Sequence, residues 1–125
     1  MKKNIISLII AVLIVFVFGF AELAIVINGY AELTKQLSDL LVLADNETIT
    51  ETEIQTCYNY WEHLREISEF WLNHNDINEI NMRMAECMSY VRKKDFSQVR
   101  MQINVMLFFA EFIPKALQPT LENIF

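Results

Sequence analysis

The sequence predicts an all-α protein in which a single amino-terminal transmembrane helix precedes an antiparallel bundle of three to four helices. Three observations lead to this prediction: an apolar amino-terminal run, apolar stripes at helical spacing through the rest of the chain, and very few turn-forming residues. The 125 residues include two Gly and two Pro and are 54% hydrophobic. That composition excludes a disordered chain and disfavours β-sandwiches and β-barrels. The length suits one domain.

The amino-terminal run is apolar enough to cross a bilayer. Within residues 5–21 the only polar residue is Ser7, and a helix of that length spans roughly 25 Å. Lys2 and Lys3 precede the run, whereas all sixteen Asp and Glu residues follow it. The positive-inside rule therefore predicts a single-pass protein of the cytoplasmic membrane, with its amino terminus inside and its carboxyl-terminal domain outside.

A cleavable signal peptide is the alternative interpretation of this run. The segment Gly19-Phe20-Ala21 has the small-x-small pattern of a cleavage site. The run is long for a signal peptide, however, and no proline or polar spacer precedes the site. We therefore expect an uncleaved anchor over residues 1–27 and an extracytoplasmic helical bundle over residues 28–125. Both interpretations export the body of the chain.

Four apolar stripes follow one another, with steps of three and four residues that place each stripe on one face of a helix. In chain order the stripes are Val26, Tyr30, Leu33, Leu37, Leu40 and Ala44; Ile54, Cys57, Tyr58, Trp61, Leu64, Ile67 and Trp71; Ile77, Ile80, Met84, Cys87 and Val91; and Phe96, Val99, Ile103, Met106, Ala110 and Ile113. Short connections between successive helices favour antiparallel neighbours.

Capping residues predict where these helices begin. The stripe of the first helix follows the anchor directly, and the sequence leaves open whether the two form one continuous helix or break at Gly29, because glycine costs a helix interior about 1 kcal/mol relative to alanine. Thr50 and Glu53 form a capping-box signature for the second helix. The third is expected to begin near Asp76, and Asp95 opens the fourth.

The carboxyl terminus is expected to dock onto another surface. Pro114 and Pro119 are predicted to bracket the end of the fourth helix, and a short helix then follows Pro119. The chain closes on Asn123, Ile124 and Phe125, and an end with two large apolar side chains usually packs against something.

Charge and glycine content argue against several functional classes. Beyond residue 21 the net charge is −8, which disfavours a nucleic-acid partner. Glycine occurs only at positions 19 and 29, so neither a phosphate-binding glycine loop nor a nucleophile elbow can form. We therefore predict a protein that is not an enzyme and that carries no cofactor.

One set of side chains offers metal-ligand chemistry. His74, Asp76 and Glu79 supply a nitrogen and two carboxylates near a helix start. The Glu-x-x-His motif of di-iron bundles is absent from the sequence. An exposed turn histidine beside a capping aspartate is the simpler explanation, so no metal site is predicted.

The two cysteines lie on the core stripes of adjacent helices. Cys57 lies about five residues farther from the intervening turn than Cys87 does, which is roughly 7.5 Å along the helix axis. A disulfide needs Cα atoms closer than about 7 Å, so buried free thiols are favoured.

Aromatic residues widen the apolar face of the fourth helix beyond its core stripe. Phe108, Phe109 and Phe112 do so, with Met101, Val105 and Leu107 adding to the apolar area. A contiguous exposed patch would indicate a protein partner or the membrane surface, whereas a wide bundle core would cover it.

Several segments resemble a known family. The lysine-led apolar segment is followed by Trp71, by the stretch 74–80, by Lys94-Asp95-Phe96 and by the ending 119–125. Together they resemble the small bacterial membrane proteins of domain-of-unknown-function family 4363, found mostly in clostridia and related spore-formers. The resemblance implies one anchor and a helical extracytoplasmic domain, and it supplies no catalytic residues. The resemblance also implies a membrane partner, because the genes of this family often lie beside genes for multi-pass membrane proteins.

The leading functional hypothesis is a non-enzymatic accessory protein that docks on an integral membrane partner. The fourth-helix aromatics and the apolar carboxyl terminus would form its docking surface. Two alternatives remain open: a binding or sensor module whose bundle encloses a small apolar ligand or a metal, and a self-associating structural protein.

Overall fold

The computed structural model describes the backbone of residues 1–124 and the side chains of residues 1–117. Within that part the chain forms four helices and no strand: α1 Lys2–Asp45, α2 Glu51–Ser68, α3 His74–Arg92 and α4 Phe96–Ile124. The predicted all-α architecture, with a long apolar helix leading into a helical bundle, is confirmed.

The four helices pack in a ring in which each helix contacts the helices next to it in the chain, and α4 closes the ring against α1. Because the connections are short, successive helices run antiparallel. The core lies on the axis of the ring. All predicted stripe residues of α1 and α3 are buried there, together with Val99, Ile103, Met106, Ala110 and Ile113 of α4.

The stripe of α2 differs from the prediction at its carboxyl end. Ile67 is 41% exposed, and the neighbouring Ser68 is fully buried instead. Trp71 is not on the helix, because α2 ends at Ser68. The polar Ser68 is accommodated because its hydroxyl group lies 3.3 Å from the hydroxyl group of Tyr30 on α1. A hydrogen bond thus replaces the apolar contact that the periodicity predicted.

The first helix is continuous through the position expected to be its weakest. α1 runs unbroken past Gly29, which resolves the alternative that the sequence left open, and its first buried residue is Leu23. The part before Leu23 makes little contact with the bundle and projects for about 30 Å. The predicted boundary between residues 27 and 28 stays a prediction.

Helix starts follow the predicted caps with one exception. Thr50 and Glu53 form a capping box at α2, and the Gln98 backbone N–H group donates to the Asp95 carboxylate at 3.4 Å. The predicted start of α3 near Asp76 is wrong by two residues. The helix begins at His74 because the Asn73 side chain accepts a hydrogen bond from the Asn75 backbone N–H group, 2.9 Å away.

The predicted end of the fourth helix is also wrong. α4 continues through Pro114 and Pro119 to Ile124, so no separate terminal helix follows Pro119. A proline inside a helix loses one backbone hydrogen bond and favours a kink rather than an obligatory end. Ile113 and Leu117, on either side of Pro114, are buried against the bundle and hold the helix in place.

Candidate functional site

The fourth helix carries apolar side chains on two opposite faces. Its core face is turned inward, whereas Met101, Val105, Phe108 and Phe112 recur at steps of four, three and four residues about half a turn away around the helix axis. Met101 is 47% exposed, Phe108 64% and Phe112 49%. We call these four residues the outer stripe of α4.

The aromatic rings of the outer stripe are packed against one another. The rings of Phe108 and Phe112 are nearly parallel, with centroids 6.1 Å apart, and Phe109 meets Phe108 edge-on at 5.7 Å. Phe109 itself is partly buried against the core. Of the three phenylalanines predicted as docking residues, the structure therefore exposes two and uses the third to flank the core.

The register between α4 and α1 gives the position of the outer stripe relative to the point where α1 leaves the bundle. Arg100 of α4 donates a hydrogen bond to the carbonyl oxygen of Ala44 near the far end of α1, at 3.4 Å. Counting from that hydrogen bond at 1.5 Å per residue places Leu117 level with Ile27 and Phe112 level with Glu32, about 14 Å from Leu23. The outer stripe thus begins about 14 Å from the apolar projection of α1.

The predicted docking residues Asn123, Ile124 and Phe125 cannot be placed on this surface. Asn123 and Ile124 belong to α4, but their side chains lie outside the described part of the structure, as does the whole of Phe125.

The candidate ligand set at the start of α3 is dispersed. His74 is exposed at the first position of the helix, whereas Asp76 and Glu79 are half-buried. The carboxylate of Glu79 lies 3.4 Å from the guanidinium group of Arg83. Within the described residues no group of three or more His, Cys, Asp and Glu side chains is arranged to hold a metal ion.

A polar cluster inside the bundle serves packing. The Tyr30 ring meets the Trp61 ring edge-on at 6.2 Å, and the Trp61 indole N–H group donates to the Asn81 side chain at 2.6 Å. Burial raises the pKa of the Tyr30 phenol well above its usual value, so the phenol stays neutral. These groups satisfy one another across three helices and present no reactive atom to a cleft.

The two thiols are buried and free. Burial raises the pKa of Cys57 to about 12 and that of Cys87 to about 12. Each thiol is therefore protonated and unreactive near neutral pH, and both side chains act as small apolar core residues.

A second aromatic surface lies at the turn between α2 and α3. Phe70 is 83% exposed, and its ring meets that of Trp71 edge-on at 5.2 Å. Trp71 lines an apolar groove of about 160 Å³ whose other walls belong to α1: Val15, Phe16, Gly19, Phe20 and Leu23. The turn therefore touches the part of α1 where bundle contacts give way to the exposed apolar segment.

Sequence reasoning missed this second surface, although a signal for it existed. Phe70 and Trp71 are adjacent aromatics at the end of the second helical pattern. In an up-down bundle the second helix returns to the end where the chain entered, so the turn after it must lie beside the anchor.

Comparison with known proteins places the chain in a family. The model described as Domain of unknown function (DUF4363) matches residues 17–124. Neither the curated proteins nor the solved structures give a significant match. The matched range runs from the last part of the apolar segment through all of α2 and α3 and into the end of α4. It covers most of the chain, so the protein belongs to the DUF4363 family.

Proposed function

We propose that the protein is a non-enzymatic, membrane-anchored accessory protein whose bundle docks on an integral membrane partner. The outer stripe of α4 carries the proposal. An apolar stripe with three- and four-residue steps is the pattern by which one helix packs against another. The core already covers the opposite face of α4, so the outer stripe fits a helix from outside the bundle.

Anchoring of the chain is supported by the projection of α1. It is the one described helix that is long and apolar enough to cross a membrane. Its segment before Leu23 measures about 30 Å, which equals the hydrocarbon thickness of a bilayer. A core helix of similar composition would be buried, whereas Phe18 here is 71% exposed.

The orientation that we propose places the bundle outside the cytoplasm. Lys2 and Lys3 precede the apolar segment, and Glu22 is the first acid after it. Labelling of intact cells with a membrane-impermeant maleimide tests this orientation. Asn46→Cys, in the exposed turn after α1, should be labelled, whereas Lys3→Cys should be labelled only after permeabilisation. The reverse pattern would refute the orientation, and the two buried native thiols should give no background.

The distance of the outer stripe from the membrane surface indicates which kind of partner could contact it. Because Phe112 and Phe108 lie about 14 to 20 Å beyond the exit of α1 from the bundle, they would face a helix or loop that extends above the bilayer surface. The partner expected there is an integral membrane protein with a helical segment at its extracytoplasmic surface.

Docking is tested by purification from detergent-solubilised membranes of the native host, with a tag inserted at the Asn46–Glu47 turn. We expect a stoichiometric multi-pass protein to be retained, and Phe108→Ser with Phe112→Ser to lose it while the helical circular dichroism is unchanged. Val42→Ser is the matched control, because Val42 is 57% exposed on α1 and lies outside the stripe.

The opposite outcomes reject docking through this face. If the double variant retains the partner as well as the wild-type protein does, the outer stripe is not the docking surface. If the wild-type protein is recovered only with its own copies, self-association replaces the accessory role. Deleting residues 123–125 tests separately whether the carboxyl terminus contributes to retention of the partner.

A further inference from the structure

We propose that the turn between α2 and α3 is a second membrane contact, in which Phe70 and Trp71 enter the outer leaflet and a phospholipid acyl chain fills the groove between Trp71 and α1. The proposal rests on the anchoring proposed above and adds a lipid site to it.

The position of the turn relative to α1 carries the inference. The groove places Trp71 beside Gly19, Phe20 and Leu23, which lie at the boundary between the apolar segment and the bundle. If the segment before Leu23 crosses the bilayer, that boundary coincides with the membrane surface, because Glu22 is the first charged residue after Lys3. Tryptophan and other aromatic rings concentrate at this depth in membrane proteins.

The exposure of Phe70 supports the same conclusion. At 83% it is the most exposed large hydrophobic side chain among the described bundle residues from position 23 onward. Exposed polar residues, Glu69 before and Asn73 after, flank the apolar stretch of Phe70, Trp71 and Leu72. An apolar segment with polar residues on both sides can place its centre in the acyl region of the leaflet while the polar residues remain among the headgroups.

The groove fits an acyl chain better than a protein side chain. Four of its walls, Val15, Phe16, Gly19 and Phe20, belong to the segment proposed to lie in the bilayer. Gly19 borders open space in the groove, since a β-carbon there would meet nothing within 4 Å. Glu22 and Glu66 make this end of the bundle acidic, whereas Glu69 is paired with Arg65 at 3.3 Å, and the acidic excess favours a zwitterionic over an anionic headgroup.

A second contact would limit how the bundle moves on its anchor. A single helix leaving a bilayer allows the attached domain to tilt and rotate. With the turn also held in the leaflet, the bundle keeps one face toward the membrane, so the outer stripe of α4 keeps a constant height above it. This arrangement favours docking between partners confined to the same plane.

Fluorescence quenching in the reconstituted full-length chain tests the proposal, because the protein has two tryptophans in contrasting places. Trp61 is fully buried in the core, whereas Trp71 lines the groove. Trp61→Phe leaves Trp71 as the only indole, and Trp71→Phe leaves Trp61 as the matched control. Each variant is placed in nanodiscs of phosphatidylcholine with bromine at acyl carbons 6 and 7, with bromine at carbons 11 and 12, or without bromine.

We expect the shallow bromines to reduce Trp71 emission about twofold, the deeper bromines to reduce it less, and Trp61 emission to stay unchanged, as interfacial depth requires. If Trp61→Phe does not fold, the difference between wild type and Trp71→Phe gives the same readout. Phe70→Ser should weaken the quenching of Trp71.

The failure of this inference can be distinguished from failure of the proposed function. A chain that elutes with the discs but whose Trp71 is quenched by aqueous acrylamide and not by brominated lipid overturns the lipid contact and leaves anchoring intact. A chain that does not elute with the discs overturns both.

Discussion

The Tyr60 hydroxyl group donates a hydrogen bond to the backbone carbonyl oxygen of Gly29, 2.9 Å away, and so joins α2 to α1 at the position where α1 lacks a side chain. Leu64, one turn farther along α2, covers the same glycine, and a β-carbon at position 29 would overlap its Cδ1 atom. Gly29 is thus a site of close helix approach. Its backbone is ordinary α-helix, so its conformational freedom is not what the fold uses.

Gly29→Ala should therefore destabilise the protein although it improves helix propensity. Alanine gains about 1 kcal/mol as a helix former, whereas overpacking a tight contact costs about 1–3 kcal/mol. We expect a net loss of about 1 kcal/mol in urea unfolding followed by circular dichroism in detergent. Gly19→Ala is the matched control and should cause no loss. In a Leu64→Ala background the penalty of Gly29→Ala should vanish, and a penalty that persists there would contradict the proposed overlap.

Arg83→Met should destabilise the bundle through Gln102. The Arg83 guanidinium group donates to the Gln102 side-chain oxygen at 3.2 Å, and Gln102 is only 2% exposed. Leaving a buried amide oxygen without its partner costs about 1–3 kcal/mol in unfolding free energy.

A double-mutant cycle separates this effect from a general loss of charge. Gln102→Met should restore most of the stability lost in Arg83→Met, because both polar partners are then removed. Arg92→Met is the control, since the exposed Arg92–Glu51 pair at 3.3 Å should contribute less than about 1 kcal/mol. Additive losses in the Arg83 and Gln102 variants would show that the two side chains are not coupled.

Alkaline pH should destabilise the protein through its buried thiols. Burial raises the pKa of Cys57 and Cys87 to about 12 from an ordinary value of 9.0, so the folded state retains protons that the unfolded state releases. The stabilising contribution is complete below pH 9 and is lost as the pH rises toward 12.

Thermal melts between pH 8 and 11 should therefore show a falling midpoint, with a smaller slope in Cys57→Ala and Cys87→Ala. Folded protein should react slowly with a thiol reagent at pH 8, and urea-unfolded protein rapidly. Equal rates in the two states would show that the thiols are accessible.

Thr50→Ala should weaken the start of α2. The Thr50 backbone N–H group donates to the Glu53 carboxylate at 2.8 Å, and the Thr50 hydroxyl group also contacts that carboxylate. Losing the capping side chain should cost about 1 kcal/mol at pH 7. Thr52→Ala, two residues into the same helix start, should cost less.

The penalty of Thr50→Ala should shrink in acid. Hydrogen bonds from Thr50 lower the pKa of Glu53, so this interaction stabilises the folded state above the unfolded pKa and is lost as the pH falls through the folded one. Urea unfolding at pH 7 and pH 3 checks this expectation, and an equal penalty at both values would contradict the role of the ionised carboxylate.

Local chemistry explains why most of the bundle could be predicted. The core stripes of α1 and α3 follow from three- and four-residue spacing, because an amphipathic helix has one way to bury its apolar face. The capping box at Thr50 is equally local. The prediction failed at Ser68, where Tyr30 from another helix supplies a hydrogen bond, and at Pro114, where buried neighbours hold the helix in place.

The candidate surfaces were only partly predictable. Phe108 and Phe112 stood out as excess apolar residues on α4, but which of the aromatics would be exposed depended on the width of the core. Phe70 gave no periodic signal, and its importance arises from its place beside α1. The sequence could not define the groove at Trp71, because its walls come from residues about fifty positions apart.

The amino-acid sequence by itself determined the class of this protein: an apolar helix long enough to span a bilayer, then antiparallel helices with defined stripes and caps. Those properties depend on composition, spacing and local hydrogen bonds. Tertiary packing determined the rest. It placed Leu64 over Gly29, turned the outer stripe of α4 away from the core, and brought Trp71 against α1. Contacts between distant segments depend on how helix faces meet in space, and helical periodicity fixes the face of each residue but not its neighbour on the next helix.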